Sequence, residues 1–90
     1  MNVIHESASR RFVVRLSGGR GELLYTPVSP TLLDLHHAEV SPSLRGQGLA
    51  AGLVAAACDY ARVNGLKLIP SCPYVAWWFQ QHPEQRDLLG

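Results

Sequence analysis

The sequence of 90 residues predicts one α+β domain, residues 1–90. We expect a mainly antiparallel sheet with a parallel, splayed last strand pair, one long crossover helix and a short C-terminal helix. Three observations lead to this fold class. Apolar and polar residues alternate up to Val40, an alanine-rich run with helical spacing follows Pro42, and a further short apolar run follows that helix. A strand–helix–strand order implies a right-handed crossover and a parallel strand pair.

The front of the chain is predicted to form an antiparallel meander. Turn residues at Ser17–Gly19 separate two alternating runs and indicate a hairpin. Pro27 and Pro30 are expected to bracket a loop before the next strand. The predicted strands cover, in order, residues 3–6, 12–16, 22–25 and 31–40.

The last of these strands contains a break in its alternation. Leu33 and Leu35 would share one face of the strand. With regular alternation, Ala38 and Val40 would lie on the opposite face, although they too are apolar. One extra residue, at positions 36–37, would restore the pattern as a β-bulge, a device found often beside active sites. The alternative is a surface strand with a chance pattern.

Apolar residues at helical spacing predict a helix over about Gln47–Asn64, which Gly65 ends. A strand over Leu66–Cys72 and a short helix over Tyr74–Gln81 follow. Pro70 cannot donate a hydrogen bond to a sheet. Either the parallel strands part at this point and leave backbone groups free for an extended ligand, or Pro70 simply lies on an edge strand.

Composition limits the classes of function. The formal charge is +1, from 8 Lys and Arg against 7 Asp and Glu, so no dense basic stripe indicates nucleic-acid binding. A content of 47% hydrophobic residues suits a packed core. No apolar run approaches the roughly 20 residues of a membrane-spanning helix. We expect a soluble, cytoplasmic protein, a monomer or weak dimer, with Cys58 and Cys72 as free thiols.

The segment Arg45–Ala50 lies where the bulged strand gives way to the long helix. A helix start carries unsatisfied N–H groups and the positive end of the helix dipole, and glycines let a phosphate approach the backbone. The turn suits a pyrophosphate. It lacks the Gly-Lys-Ser/Thr of a Walker loop, and one Gly-x-Gly is weak evidence for a dinucleotide fold. The glycines alone are equally compatible with a tight entry into the helix.

These residues in this order resemble the GNAT superfamily of acetyltransferases. Its signature, Arg or Gln, two residues, Gly, one residue, then Gly or Ala, matches Arg45, Gly48 and Ala50. The resemblance implies that acetyl-CoA is the cosubstrate and that the loop amides bind its pyrophosphate. It also implies that the bulged strand pairs with the pantetheine arm and that the next, splayed strand admits the thioester.

The likeness is closer still to a minimal subfamily of small, single-domain N-acetyltransferase-like proteins. The matching pieces are residues 37–40, 46–50, 59–62, 67–75 and 82–84. The cofactor-binding residues implied are Glu39, Val40, Arg45, Gly46, Gln47, Gly48, Leu49 and Ala50. Two departures stand out: there is no room for the initial helices that shape the acceptor site, and Gln80 stands where many members have a proton-donating tyrosine.

Acetyl transfer to an amine needs a base for the amine and a proton for the leaving thiolate. The resemblance puts a histidine at His37, which would serve as base; a surface histidine is the alternative. Glu39 is a second candidate base, or a solvated strand residue. Cys72 would meet the thioester, as acetyl acceptor or proton donor, unless it is a buried inert thiol. Cys58 is assigned to the core.

The predicted function is therefore acetyl-CoA-dependent N-acetyl transfer to an amine, with His37 and Cys72 as catalytic candidates. No metal site is expected, because no ligand spacing typical of metal sites occurs. The alternatives are a CoA-binding module with little catalysis that acts through protein contacts, and a binder of nucleotide phosphates. The aromatic run Trp77–Phe79 is expected to close the core, or else to form a protein-binding or acceptor surface.

Overall fold

A computed structural model describes residues 1–90 as a five-stranded sheet with two helices on one face. The strands are β1 (Ile4–Glu6), β2 (Arg11–Leu16), β3 (Gly19–Ser29), β4 (Leu32–Val40) and β5 (Lys67–Ile69). The helices are α1 (Leu49–Asn64) and α2 (Pro73–Gln81), with short 3-10 turns at Ser7–Ser9, Pro42–Leu44 and Pro83–Leu88. We call the helix-covered face of the sheet inner and the opposite face outer.

The strands lie in the order β1-β2-β3-β4-β5. The first four pair antiparallel, and β5 pairs parallel with β4 after the crossover through α1. This arrangement confirms the predicted α+β class with its parallel last pair. No helix in the structure combines the length and the apolar character needed to cross a bilayer.

The predicted bulge is present in β4. Leu24 pairs with His37, but the next residue of β3, Tyr25, pairs with Leu35, so His36 is the extra residue. The bulge exchanges the faces of all later residues in the strand. The β4 side chains on the inner face are accordingly Leu33, Leu35, Ala38 and Val40.

The predicted loop between Pro27 and Pro30 is wrong. β3 continues through Pro27 to Ser29, and the turn to β4 occupies residues 30–31. Pro27 pairs with Leu33 next to a second register shift, in which Val28 has no direct partner. Proline has no N–H to donate to the ladder, but this loss costs little next to a register shift, where the ladder is already interrupted. The strand therefore continues through Pro27, which the sequence pattern had not suggested.

Two other elements are shorter than predicted. The last strand ends at Ile69 rather than Cys72, because Pro70 interrupts the ladder. Helix α1 begins at Leu49 rather than Gln47, because Gly48 has a left-handed backbone with φ of 76°.

One core of 19 buried residues joins the inner face to both helices. Trp78 and Phe79 are buried in it, whereas Trp77 is 52% exposed, so part of the aromatic run closes the core as expected. Cys58 is fully buried, and burial, reinforced by nearby Asp59, raises the pKa of its thiol to about 12. Its assignment to the core is confirmed.

Candidate functional site

The loop between β4 and α1 is shaped by two glycines with left-handed backbones. Gly46 has φ of 83° and Gly48 has φ of 76°, a region in which residues with a Cβ are strained. No atom lies within 4 Å of the place where a Cβ would stand on either residue. The glycine loop, residues 45–48, therefore leaves its backbone open to a ligand.

The same loop leaves a run of amides without partners. The N–H groups of Gly46, Gln47 and Gly48 take part in no backbone hydrogen bond. The amides in the first turn of α1, at residues 49–51, have no intrahelical acceptor, and no side chain caps the helix. Adjacent free amides at the positive end of a helix dipole form an anion site.

Beside this loop, the end of β4 has one edge to which no other strand bonds. The backbone amide of Ser41 donates a hydrogen bond to the carbonyl of Arg20 at 2.8 Å, so Ser41 and Arg20 form a hydrogen-bonded pair of the antiparallel ladder. Bonded and non-bonded pairs alternate in an antiparallel ladder. Glu39 therefore bonds to β3, whereas Ala38 and Val40 direct their N–H and C=O groups to the other edge of β4.

That other edge is uncovered because β5 has ended. The last residue pair between β4 and β5 joins Asp34 to Ile69. One further bond runs from the amide of Cys72 to the carbonyl of Leu35, at 2.9 Å. Beyond it β4 continues to Val40, while the other segment turns into α2. The strands part as the bulge and Pro70 predict.

The parted strands, the glycine loop and the starts of α1 and α2 enclose a cleft of about 420 Å³. Its lining residues are Ala38, Glu39, Val40, Leu44, Arg45, Gly46, Gly48, Leu49, Ala50, Ala51 and Tyr74. Every predicted cofactor-binding residue except Gln47 is among them. Gln47 is exposed and lies outside the lining.

Arg45 supplies the positive charge of the cleft. Its Nε donates a hydrogen bond to the carbonyl of Val40 at 3.3 Å, and the side chain is otherwise exposed. The bond ties the guanidinium to the end of β4, and Arg45 lines the same cleft as Gly46 and Gly48. A planar, permanently charged donor in this place suits a phosphate oxygen.

The two predicted catalytic residues do not line the cleft. His37 lies on the outer face with its side chain 50% exposed, and its Nε2 is 3.3 Å from a carboxylate oxygen of Glu39. Cys72 is 7% exposed and precedes α2, packed in the core cluster. A catalytic role for either residue stays a prediction.

Four lining residues were missed from the sequence: Ala38, Leu44, Ala51 and Tyr74. The bulge places Ala38 on the same face as Val40, so the sequence pattern could have identified Ala38. Tyr74 had no such signal, because it reaches the cleft only through the position of α2. Burial raises the pKa of the Tyr74 phenol above its ordinary value of 10, which favours the protonated form. Gln80, at the usual place of the tyrosine, is exposed.

On the outer side of β4 a smaller polar depression of about 230 Å³ adjoins the cleft. It is lined by Arg20, Glu22, Glu39, Ser41 and Pro42. Glu39 borders both cavities. No group of three or more His, Cys, Asp or Glu side chains is arranged to hold a metal ion.

Comparison with protein families matches residues 11–88 to the model of the GCN5-related N-acetyl-transferases. The chain is also similar to the vertebrate proteins called Protein NATD1. It is 36% identical to the human protein over 85 residues, covering 92% of this chain and 75% of the relative. It is 32% identical to the zebrafish (Danio rerio) protein over 90 residues, covering 98% of this chain and 82% of the relative.

Among solved structures, the chain is similar to the solution structure of a GCN5-like protein from Staphylococcus aureus. The TM-score is 0.77, with 99% of this chain and 87% of the other covered. Sequence identity is 24%, so this likeness speaks for the fold.

Proposed function

The chain belongs to the GCN5-related N-acetyltransferase family, and from this premise we propose that it is an acetyl-CoA-dependent enzyme that acetylates an amine. One observation carries the proposal. The unpartnered amides of Gly46 and of residues 48–51, and the unpaired edge of β4 at Ala38 and Val40, open onto the same cleft. An anion site continuous with an unpaired strand edge suits a ligand with phosphates at one end and an extended amide-bearing arm.

The residues present fit such a cosubstrate. The amides of the glycine loop and the first turn of α1 would hold the pyrophosphate, and Arg45 would neutralise part of its charge. The N–H and C=O groups of Ala38 and the N–H of Val40 would bond to the amides of the pantetheine arm, as a neighbouring strand would, while the carbonyl of Val40 accepts the bond from Arg45. The apolar side chains of the cleft would exclude water from the thioester.

Bound acetyl-CoA supplies an activated acetyl group, whose C–S bond breaks as the C–N bond to the acceptor forms. The chain must then handle two protons: the acceptor nitrogen loses one, and the departing thiolate gains one. His37 is the proposed base, acting through water from the outer face. Tyr74 is the hydroxyl-bearing side chain that lines the cleft, which makes its phenol the first candidate for the proton donor, with Cys72 as the second.

Binding of the cosubstrate is tested by thermal unfolding with CoA, acetyl-CoA or ATP. A ligand at a hundred times its Kd adds about 2.7 kcal/mol to the stability of the folded state. We expect CoA and acetyl-CoA to stabilise the protein and ATP to do so far less. Equal stabilisation by ATP would support a general nucleotide-phosphate binder instead.

Transfer is tested by incubating the protein with acetyl-CoA and a panel of amines, peptides and proteins, and measuring acetylated products by mass spectrometry. The same spectra report an acetyl group on the protein. An acetyl group that is found first on Cys72 and is then transferred to the product would support a route through an acetyl-cysteine. Full turnover by Cys72→Ala would exclude an essential thiol.

A second candidate function is a CoA-binding module that acts through protein contacts. It is favoured by the absence of His37 and Cys72 from the cleft lining and by Gln80 in the usual place of the tyrosine. Stabilisation by CoA without acetylation of any member of the panel would support this candidate over the enzyme.

A further inference from the structure

Trp77 is the exposed member of the aromatic run on α2. Its neighbours Trp78 and Phe79 are buried in the core, whereas Trp77 is 52% exposed. The Trp77 indole instead packs against the ring of Tyr74, with the two ring centroids 5.8 Å apart. A single apolar residue at the surface is ordinary, but two aromatic rings in contact form a larger apolar area. We call Tyr74 and Trp77 the aromatic patch.

The aromatic patch continues the wall of the cleft. Tyr74 lines the cleft, and Trp77 lies about one turn further along α2, on the same side of the helix. Most of the lining beside Tyr74 is apolar: Ala38, Val40, Leu44, Leu49, Ala50 and Ala51. An apolar wall therefore runs from inside the cleft to the solvent at Trp77.

The position of the aromatic patch relates it to one end of the proposed cosubstrate. The glycine loop and the start of α1 would hold the phosphates, and the unpaired edge of β4 would lead the arm from Val40 past Ala38 towards the bulge. The strands part at that end of the cleft. Their last bond joins Cys72 to Leu35, and α2 begins at the next residue, Pro73. In this orientation the aromatic patch lies nearer the thioester than the phosphates.

We propose that the aromatic patch binds acyl chains longer than acetyl, so that the donors include apolar straight-chain acyl-CoA thioesters such as butyryl- and hexanoyl-CoA; this inference rests on the proposed function. The chain continues from the thioester past Tyr74 and covers the exposed face of Trp77. Removing apolar surface of both partners from water stabilises the complex. Because the acyl chain is covalently attached to the bound arm, its effective concentration at the patch exceeds that of any free molecule.

Calorimetric titrations with acetyl-, butyryl- and hexanoyl-CoA test the proposal on the unaltered chain. A fully buried methylene tightens binding about fourfold, and we expect about twofold on a patch that is open to solvent on one side. The Kd should therefore fall by about tenfold from acetyl- to hexanoyl-CoA. Equal Kd values for these two thioesters would overturn the proposal.

Glutaryl-CoA is the matched ligand control, because its acyl chain is similar in length to hexanoyl but ends in a carboxylate. Covering a charge with an apolar surface costs free energy, so glutaryl-CoA should bind no more tightly than acetyl-CoA. A gain in affinity for glutaryl-CoA as large as that for hexanoyl-CoA would contradict an apolar site.

Tryptophan fluorescence reports where the chain lies. The protein has two tryptophans, of which Trp78 is already buried. Covering the indole of Trp77 should shift the emission to shorter wavelength at saturating hexanoyl-CoA, with a smaller shift for acetyl-CoA. An emission spectrum that hexanoyl-CoA leaves unchanged at saturation would mean that the chain does not cover Trp77.

Trp77→Ser should abolish the gain in affinity from acetyl- to hexanoyl-CoA. Val63→Ser is the matched control, because Val63 is an apolar residue 85% exposed near the end of α1, whereas the cleft lies at the start of that helix. This control should keep the gain of about tenfold. The same gain in Trp77→Ser would place the chain elsewhere and overturn the proposal.

CoA without an acyl group separates this proposal from the proposed function. If CoA and acetyl-CoA bind and chain length has no effect on Kd, the role of the aromatic patch fails while the proposed cosubstrate stands. If neither CoA nor any of the thioesters binds, the proposed function fails, and the role of the patch fails with it.

Discussion

The amide of Cys72 donates a hydrogen bond of 2.9 Å to the carbonyl of Leu35, one residue out of step with the parallel ladder before it. Lys67 bonds to the carbonyl of Thr31 and sets a register in which Ser71, not Cys72, would reach Leu35. The chain after β5 thus holds one extra residue, near Pro70, while β4 holds its own at His36. The two irregularities lie at the same level of the sheet, and together they open it into the cleft.

Gly48→Ala should weaken binding of acetyl-CoA by about tenfold, because a Cβ would stand beside the amides that hold the pyrophosphate. The variant should also lose roughly 1–2 kcal/mol of stability, since φ of 76° is strained for alanine. Calorimetric titration and urea unfolding measure the two effects.

Gly65→Ala is the matched control for this prediction. Gly65 caps the other end of α1 with φ of 67° and, like Gly48, has no atom within 4 Å of the place where an alanine Cβ would stand. It should lose similar stability and keep its affinity for acetyl-CoA. Equal loss of affinity in both variants would mean that Gly48 acts through folding alone.

Arg45→Ala should weaken acetyl-CoA binding by about fivefold, as expected for an exposed charge pair of about 1 kcal/mol, and should reduce the dependence of Kd on salt. Arg86→Ala is the control, because Arg86 is an exposed arginine in the turn after α2. Titrations at low and high salt measure both quantities. An unchanged salt dependence in Arg45→Ala would argue against contact with the phosphates.

Tyr74→Phe should lower kcat on an accepted amine by about a hundredfold or more if its phenol protonates the thiolate, since general acids contribute at least that much. The Kd for acetyl-CoA should change little, because the ring remains. Tyr60→Phe removes a phenol from α1, outside the cleft lining, and should keep full kcat. Steady-state rates and calorimetry separate kcat from binding. Full kcat in Tyr74→Phe would mean that Cys72 or solvent, and not Tyr74, protonates the thiolate.

The sequence was sufficient for the parts of the site that depend on local pattern. The change of alternation in β4 located the bulge within one residue, and the spacing from Arg45 to Ala50 located the glycine loop with its unpartnered amides. Tyr74 could not be found in this way. It reaches the cleft through the packing of α2, which is a tertiary relationship. The loop predicted at Pro27 was wrong for the same reason: a neighbouring register shift, which the sequence pattern does not reveal, allows proline inside the strand.

Acid should destabilise the protein through Glu6. Hydrogen bonds from Arg15 and then Arg11 lower the pKa of this carboxyl from 4.5 to about 2. The unfolded chain binds the proton first, so the stabilisation is complete above pH 4.5 and is lost as pH falls towards 2. Urea unfolding in this window should show a steep loss of stability for the original chain and a shallower one for Glu6→Gln.

Arg15→Gln is the partner variant for Glu6. Removing the Arg15 hydrogen bonds, the largest cause of the lowered pKa of Glu6, should move the loss of stability to higher pH, towards the ordinary range of a glutamate. Coincident acid transitions in the original chain and both variants would exclude this ion-pair network as their cause.

A second, higher pH window belongs to His5. Its ring stacks on Phe12 with centroids 4.3 Å apart, and its Nε2 is 2.7 Å from the hydroxyl of Tyr25. Burial in this cluster lowers the pKa of His5 below 6.5. The unfolded state then binds more protons than the folded state just below pH 6.5, so stability falls as pH drops through that window.

His5→Gln should therefore flatten the slope of unfolding free energy against pH just below 6.5, although it lowers stability overall through the lost stacking. Tyr25→Phe is the control, because it removes the hydrogen bond but leaves the ring that buries His5. It should lose about 1 kcal/mol and keep the slope, since burial is the cause of the lowered pKa. Parallel curves for the original chain and His5→Gln would show that His5 is not the group that titrates in this window.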